Sequence, residues 1–316
     1  MNMQRPFFNR LYLVFYFGFL LLYCSTLEAQ ETKIFTTEDY DLQGPVKNCQ
    51  VLTNYGREEF DFNREGKLTK AVTRYNDQDY SITYYKYRDG FLSERRDEVY
   101  RDGKFDENSS MAHFFEPDTL NGKRIKEQIV SYNKEYIDRY EYSYDEEGRL
   151  VRMVRSSPEG VDETRIEYSE QKGEATTSYF LNEVLLKTIR TSAATAKDGS
   201  PQRDELTKEF IDGAPDKASE MIYNAAGKPV SEVQFEYSKT EKSFVPVSKI
   251  TFEYNEDGML SQMQTQAGGQ TETRKYIYQF DNNGNWIKQI ITPDNSYITR
   301  KISYYQPESA EQESNN

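Results

Sequence analysis

From Tyr140 to Val154 the chain reads YEYSYDEEGRLVRMV. Aromatic and polar residues alternate up to an acidic corner with a glycine, and a leucine-led stretch then runs back. Alternation with a period of two places every second side chain on one face of a strand, so the stretch reads as a β-hairpin. Five segments share the pattern closely: FDFNREGKL (60–68), YSYDEEGRL (142–150), MIYNAAGKP (221–229), FEYNEDGML (252–260) and YQFDNNGNW (278–286). Weaker copies occupy 85–92, 121–125 and 167–175. Their glycines, at 66, 90, 122, 148, 173, 227, 258 and 284, recur about every 26 residues, with one double gap between 173 and 227. A further hairpin with its turn at Asn182-Glu183 fills that gap. Self-similarity at such a period marks a repeat architecture. The pattern predicts an all-β fold, an elongated antiparallel β-meander or coil built from repeated hairpins.

The spelling of the corner has a physical reason. Asp or Asn at its first position bonds to the backbone and opens a type I turn. Glycine at the fourth position takes the left-handed conformation, which is strained for a side chain. Gly66, Gly148, Gly227, Gly258 and Gly284 are therefore expected as turn glycines. An ion-binding loop needs more oxygen ligands at fixed spacing than Asp281-Asn282-Asn283-Gly284 supplies. A three-residue hairpin puts Tyr144 opposite Leu150, Tyr142 opposite Arg152, Phe60 opposite Lys70 and Tyr278 opposite Lys288. Opposed residues share a face, so this register predicts an aromatic ladder shielded by cations within each hairpin.

These residues resemble the YD-repeat, or Rhs-repeat, family of bacterial exported proteins, whose signature Tyr-x-Tyr-Asp-x-x-Gly-Arg-Leu is met most fully at Tyr142 to Leu150. DLQGPVK (41–47) also resembles the opening of small exported proteins with such repeats. The likeness implies an all-β coil of hairpins on an exported protein. In large members the repeats form a shell around a toxin. This chain is far shorter, shows no toxin-like C-terminal domain, and lacks the Asp-Pro-x-Gly motif near the shell's end, so a toxin cocoon is not expected. The resemblance transfers no catalytic residue.

The ends change the picture of compartment. Arg5 and Arg10 precede an apolar run of 13 residues, Leu11 to Tyr23, and LEAQ follows. That run suits a signal-peptide core and is short for a span of about 20 residues. Residues 1–29 read as a signal peptide cut after Ala29. A lipobox-like alternative at Cys24 is disfavoured by the bulky Tyr23 before it. After cleavage Cys49 is the sole cysteine, read as a small buried hydrophobe, and no internal disulfide can form. Residues 30–40 are a polar lead-in and 41–305 the hairpin-repeat domain. Within it 191–205, poor in large apolar residues, reads as an exposed loop, and 306–316 reads as a disordered tail. No membrane span is expected in the mature chain.

Composition and charge narrow the function. Tyr (26) and Phe (18) supply much of the hydrophobic content, which favours half-buried β surfaces. A net charge of −13 argues against nucleic-acid binding, which needs basic surface. His113 is the one histidine, and MAHFFEP places it in an apolar strand as a packed or surface imidazole. No glycine-rich phosphate loop is present, and no carboxylate pair stands out among the turn and surface acids. No catalytic residue, cofactor or metal ligand is therefore expected. The expected function is a non-enzymatic binding or structural scaffold in the periplasm, on the outer membrane surface or outside the cell. Its partner is an envelope protein or a polysaccharide. The alternative is a glycan-binding protein using Tyr and Trp rings, with Trp286 and Tyr278 as the candidate stacking pair; the competing reading makes Trp286 a cap over the aromatic ladder.

Overall fold

In a computed structural model of the protein, residues 33–118 and 124–306 are described. The expected signal peptide (1–29), Cys24, the corner at Gly122 and residues 307–316 of the expected tail lie outside the described residues. A 3₁₀ turn (Thr37–Tyr40) precedes β1 (Val46–Leu52), β2 (Arg57–Phe62), β3 (Leu68–Arg74), β4 (Tyr80–Arg88), β5 (Phe91–Arg101), β6 (Lys104–Phe105) and β7 (Met111–Asp118). Then come β8 (Arg124–Ser131), β9 (Tyr136–Tyr144), β10 (Leu150–Ser157), β11 (Gly160–Gln171), β12 (Glu174–Leu181), β13 (Val184–Thr195) and β14 (Pro201–Ile211). The last are β15 (Ala214–Asn224), β16 (Pro229–Ser238), β17 (Ser243–Tyr254), β18 (Leu260–Ala267), β19 (Gln270–Phe280), β20 (Trp286–Thr292) and β21 (Ser296–Tyr304).

The repeat corners fold as hairpin turns. Gly148 has φ +81°, its N–H donates to the Asp145 carbonyl at 3.1 Å, and Asp145 Oδ1 accepts the Arg149 N–H at 2.8 Å. Asn63, Asn224, Asn255 and Asp281 likewise accept the amide four residues on, at 2.8–3.0 Å, and Gly66, Gly227, Gly258 and Gly284 have φ from +73° to +83°. All five of these turns lie at one end of the strands, because each joins an even-to-odd or odd-to-even pair of the same sense.

The register departs from expectation. Tyr144 faces Leu150, but one residue is then bulged out, so Tyr142 faces Met153 and Arg152 faces Ser143. The same shift sets Phe60 opposite Ala71 and Tyr278 opposite Gln289. A one-residue slip turns every later side chain to the other face. Lys70, Arg152 and Lys288 therefore stand opposite Asp61, Ser143 and Gln279, away from the aromatic ladder. Residues 191–205 are not a loop: β13 runs to Thr195 and β14 starts at Pro201, around a turn closed by Gly199 N–H on the Ala196 carbonyl at 3.0 Å. Thr, Ser and Ala alternate there well enough to be strand, and their small size had suggested otherwise.

The larger correction concerns topology. Successive strands pair antiparallel along the chain, and β21 returns to pair with β1, Val51 opposite Arg300 and Cys49 opposite Ile302. Twenty strands thus form a closed barrel rather than an open, elongated meander or coil, while β6 pairs with β5 beside the ring. Closure leaves no edge strand open to pairing. The hairpin pattern dictates neighbouring antiparallel strands but carries no term for whether first and last meet.

Opposed pairs followed around the ring stay on one face, for example Cys49, Phe60, Ala71, Thr83, Asp97 and Met111. That face holds most of the buried residues, among them Val51, Phe62, Leu68, Phe115, Tyr142, Ile166, Phe252 and Ile291; Val72, Ala112 and Ala218 are buried on the other. The concave side of a closed sheet crowds its side chains, so the occluded face is the inner one.

Residues 33–44 are a strap across the point of closure. Thr36 bridges Lys67, the Thr37 N–H donates to the Gly66 carbonyl at 2.9 Å, and the Leu68 N–H donates to the Phe35 carbonyl at 2.8 Å. Tyr40 packs its ring against Phe60 and Phe62, with centroids 4.5 and 5.5 Å apart. Leu42 is buried with Val46, Cys49 and Val51. At the far side Asn285, 1% exposed, accepts the Gln43 N–H at 2.7 Å and donates to the Gln43 carbonyl at 2.9 Å. The strap thereby ties the β2–β3 turn to the β19–β20 turn over the β1–β21 junction. Asn285→Ala strands both Gln43 groups, and the expected loss is about 1–3 kcal/mol in denaturant unfolding of residues 30–316. Hydrogen exchange should quicken in β1 and β21 and stay unchanged in β11 and β12.

Candidate functional site

The inner face carries one buried polar constellation, spread over five neighbouring strands from β4 to β9. Arg95 faces His113, and His113 faces Ile129 with Glu127 one step along the same face. His113 Nδ1 lies 2.6 Å from Glu127 Oε1, and the Tyr142 hydroxyl donates to Glu127 Oε2 at 2.5 Å. Glu127 is fully buried, Tyr142 is 1% exposed and His113 3%. Asp97 Oδ2 stands 3.4 Å from His113 Nε2, accepts from Arg95 Nε at 3.1 Å, and the Thr83 hydroxyl donates to Asp97 Oδ1 at 2.8 Å. The chain Thr83–Asp97–His113–Glu127–Tyr142 is continuous, with Phe115 stacked beside the imidazole at 6.4 Å.

Its electrostatics follow from burial against pairing. Burial pulls the His113 pKa down, but hydrogen bonds to Asp97 and Glu127 outweigh it and the net shift is upward. Burial pushes Asp97 up, and the bond to His113 with the Arg95 charge carries it below the usual carboxylate range. Burial and the Glu127 charge push Tyr142 far up, so it stays a hydroxyl donor. Arg95 Nη2 sits 2.8 Å from His113 Nε2. A neutral imidazole accepts that guanidinium proton there; a protonated one turns Nε2–H to Asp97 instead. The arrangement holds the imidazole between two carboxyl groups. Glu127 and His113 are enclosed, while Arg95 and Asp97 stay about a quarter exposed. Among the described residues no group of three His, Cys, Asp or Glu could hold a metal ion.

Trp286 and Tyr278 come together on the same face at the strap. Their ring centroids are 6.2 Å apart, edge to face, and the Arg300 guanidinium lies 3.6 Å over the Trp286 ring. Trp286 is 6% exposed and Arg300 4%. Arg300 Nη2 donates to the Tyr40 carbonyl at 3.1 Å, and burial lowers its pKa. Burial likewise raises Tyr278 to about 12, and its hydroxyl accepts from Gln289 at 2.9 Å. In this state the Trp286 face meets Arg300 rather than solvent. Cys49 is buried nearby, its thiol pushed up to about 11.

The turn glycines belong to a different device, which couples neighbouring repeats. The cation after the glycine lies over the tyrosine of the following repeat: Lys67 over Tyr87 at 5.7 Å, Arg149 over Tyr168 at 4.6 Å, Lys228 over Tyr254 at 5.4 Å. The same tyrosine donates its hydroxyl to the carbonyl of the next residue, Leu68 at 2.5 Å, Leu150 at 2.8 Å and Pro229 at 2.7 Å. The pairs expected across the corners, Tyr142 with Arg152, Phe60 with Lys70 and Tyr278 with Lys288, stand on opposite faces, and the corner cations reach the next hairpin instead. Away from these corners Arg165 over Phe180 and Lys187 over Tyr179 do pair within hairpins. Each such contact contributes about 0.5–1 kcal/mol where exposed. Asp97, Glu127, Arg95 and Arg300 carried no sequence signal, since nothing in one strand says which acid of the neighbouring strand shares its face.

No family model matches the chain, and no curated protein matches it. Among solved structures, a porin-like protein from Bacteroides uniformis ATCC 8492 is 7% identical with a TM-score of 0.31, over 83% of this chain and 99% of that one. A porin-like protein from Bacteroides vulgatus ATCC 8482 is 10% identical with a TM-score of 0.25, over the same 83% and 99%. TcdB2-TccC3 is 10% identical with a TM-score of 0.17, over 77% of this chain and 20% of that one. Scores this low do not establish a shared fold.

Because the folded His113 pKa is raised, its contribution to stability is fully present below the ordinary histidine pKa and is lost as pH rises through the folded value. The contribution of Asp97, whose pKa is lowered, is lost as pH falls. Thermal melts from pH 5 to 8 should show stability declining across the His113 titration. Because the chain has one histidine, a single NMR imidazole signal reports it. It should titrate above the ordinary histidine range and move down in Glu127→Gln. Tyr142→Phe leaves Glu127 Oε2 unpaired, with an expected cost of about 1–3 kcal/mol.

Proposed function

We propose that the chain is an exported, non-enzymatic scaffold: a closed barrel of YD-repeat character that stands in water in the cell envelope or outside the cell. The observation that carries this reading is the charge on both faces of the sheet. On the outer face Glu94 pairs with Lys86 and Arg96 at 2.9 Å each, Arg152 pairs with Glu163 at 2.7 Å, and Glu59 with Arg74 at 3.4 Å. On the inner face sit Arg95, Asp97, Glu127, Asp138, Lys187, Arg274 and Arg300. A membrane barrel needs one uninterrupted apolar band, and each Arg or Lys at the bilayer midplane costs about 2–4 kcal/mol. Neither face provides such a band among the described strands.

The non-enzymatic part rests on pairing: Glu127 is fully buried, His113 nearly so, and each spends its polar atoms on its neighbours in the wall. The YD-repeat character rests on the recurring coupling of turn cation, tyrosine and backbone carbonyl. No helix among the described residues is long and apolar enough to cross a membrane.

Residues 30–316 are expected to fold in buffer without detergent, with a β-type circular dichroism spectrum and one cooperative unfolding transition. Folding that requires detergent or lipid would overturn the water-exposed barrel. The same protein, immobilised, should retain a protein or polysaccharide from a solubilised envelope fraction; retention of nothing would remove the binding role.

A further inference from the structure

The two ends of the barrel differ in chemistry. The end that holds the five close repeat corners presents Asp, Asn and Glu. At the opposite end the turns expose large apolar side chains: Tyr55, Tyr75, Tyr132, Val161, Val184 and Ile211 are 42, 65, 55, 67, 44 and 61% exposed. They lie in the turns after β1, β3 and β8 or at the strand ends flanking the turns after β10, β12 and β14, which alternation of strand direction brings to one rim. The turns touch. Gly56 lies against the backbone of Arg74 and Tyr75, leaving no room for a Cβ. The Gly103 N–H donates to the Gln78 carbonyl at 2.9 Å, and Phe105 packs on Tyr132 with centroids 4.6 Å apart. The Asn182 N–H donates to the Glu163 carbonyl at 2.8 Å, and Val184 packs beside Gly213. The apolar groups thus form an arc around the rim from β1 to β15 rather than scattered points. Exposed apolar arcs of this extent mark interaction surfaces.

The connections between them are acidic on balance, although Asp106 and Glu183 already pair with Arg101 and Arg165. The connections 53–56, 75–79, 102–109, 132–135, 158–159, 182–183 and 212–213 contain nine Asp or Glu and two Lys. Like charge opposes stacking of this rim on a second copy, and it opposes an anionic membrane surface. We infer that this rim docks a basic protein segment, one that alternates apolar anchors with Lys or Arg. Its apolar side chains would cover the Tyr and Val positions while its cations meet the intervening carboxylates. This deepens the scaffold reading and rests on it.

The test uses residues 30–316 and defined probes: a labelled Leu/Lys peptide, a Leu/Glu peptide of equal length, and phosphatidylglycerol vesicles. The rim variant is Tyr75→Ser with Val161→Ser and Ile211→Ser. A control variant, Phe91→Ser with Phe280→Ser, alters the opposite end. Circular dichroism and melting verify that both fold, and single substitutions serve if the triple variant does not. The Leu/Lys peptide should bind at least about tenfold more tightly than the Leu/Glu peptide; the rim variant should lose about tenfold and the control nothing. Equal loss in rim and control variants, or none in either, overturns the inference. So does binding to the vesicles, or a dimer in sedimentation that the rim variant dissolves without any peptide binding. An envelope component retained equally by parent and rim variant would leave the scaffold intact and sink the rim alone.

Discussion

Pairing of β1 with β21 is the constraint on which the rest of the structure depends. The described repeats bury too little on any one hairpin to stand alone, and a two-stranded hairpin is marginal in water. Neighbours supply the missing contacts to each hairpin, but an open stack leaves two ends without them. Closure gives the first and last strands neighbours and creates a concave face on which aromatic rings are screened from water. The junction is a weak place by construction, because it joins residues about 250 positions apart, Val51 and Arg300, at a high entropic cost of loop closure. The strap answers that weakness. It places Leu42 and Tyr40 over the joint and anchors on Asn285, a residue standing where three of the four other close repeats have Lys or Arg. The exception in the repeat is thus where the barrel is fastened.

The repeat signature acquires a physical reading from this arrangement. Glycine lets the corner turn, and Asp or Asn holds the amide four residues on. The Arg or Lys that follows, with the Leu carbonyl beside it, grips the tyrosine of the next repeat. Because each contact lies between repeats, the signature propagates sheet growth from one hairpin to the next. Stability in such an array is shared by nearest neighbours. The cis-side polarity of the corners follows too: they project at one end, where solvent is the only neighbour.

The local half of this was legible in the chain. Alternation, corner glycines such as Gly148 and Gly284, and the extra hairpin at Asn182-Glu183 all follow from strand and turn chemistry acting over a few residues. The cross-strand register did not follow, because a single bulged residue after Leu68 or Leu150 reverses the face of everything beyond it. Closure did not follow, because no local term encodes the meeting of β1 and β21. The 191–205 segment is ambiguous in sequence because small Thr, Ser and Ala suit either a loop or a lightly packed strand. The polar constellation was half visible: His113 was singled out as a packed imidazole, but Asp97 and Glu127 looked like any of the surface acids.

That constellation also bears on what the barrel can be. A buried carboxylate without partners would be strongly destabilising, yet Glu127 is fully enclosed and satisfied from both sides by His113 and Tyr142. Replacing all three by apolar residues of similar volume would fill the same space without any titrating group. Retaining them makes the wall sensitive to pH at a position shared by β7, β8 and β9. The arrangement also fixes register, since Glu127 meets its partners only when β7 and β9 lie in the observed alignment. A slip of one residue on either side would turn His113 or Tyr142 outward and leave the acid alone inside. In a sheet whose repeats resemble one another, such a unique buried set distinguishes the correct pairing from its near copies, and it sits in the stretch where the described repeats are least regular.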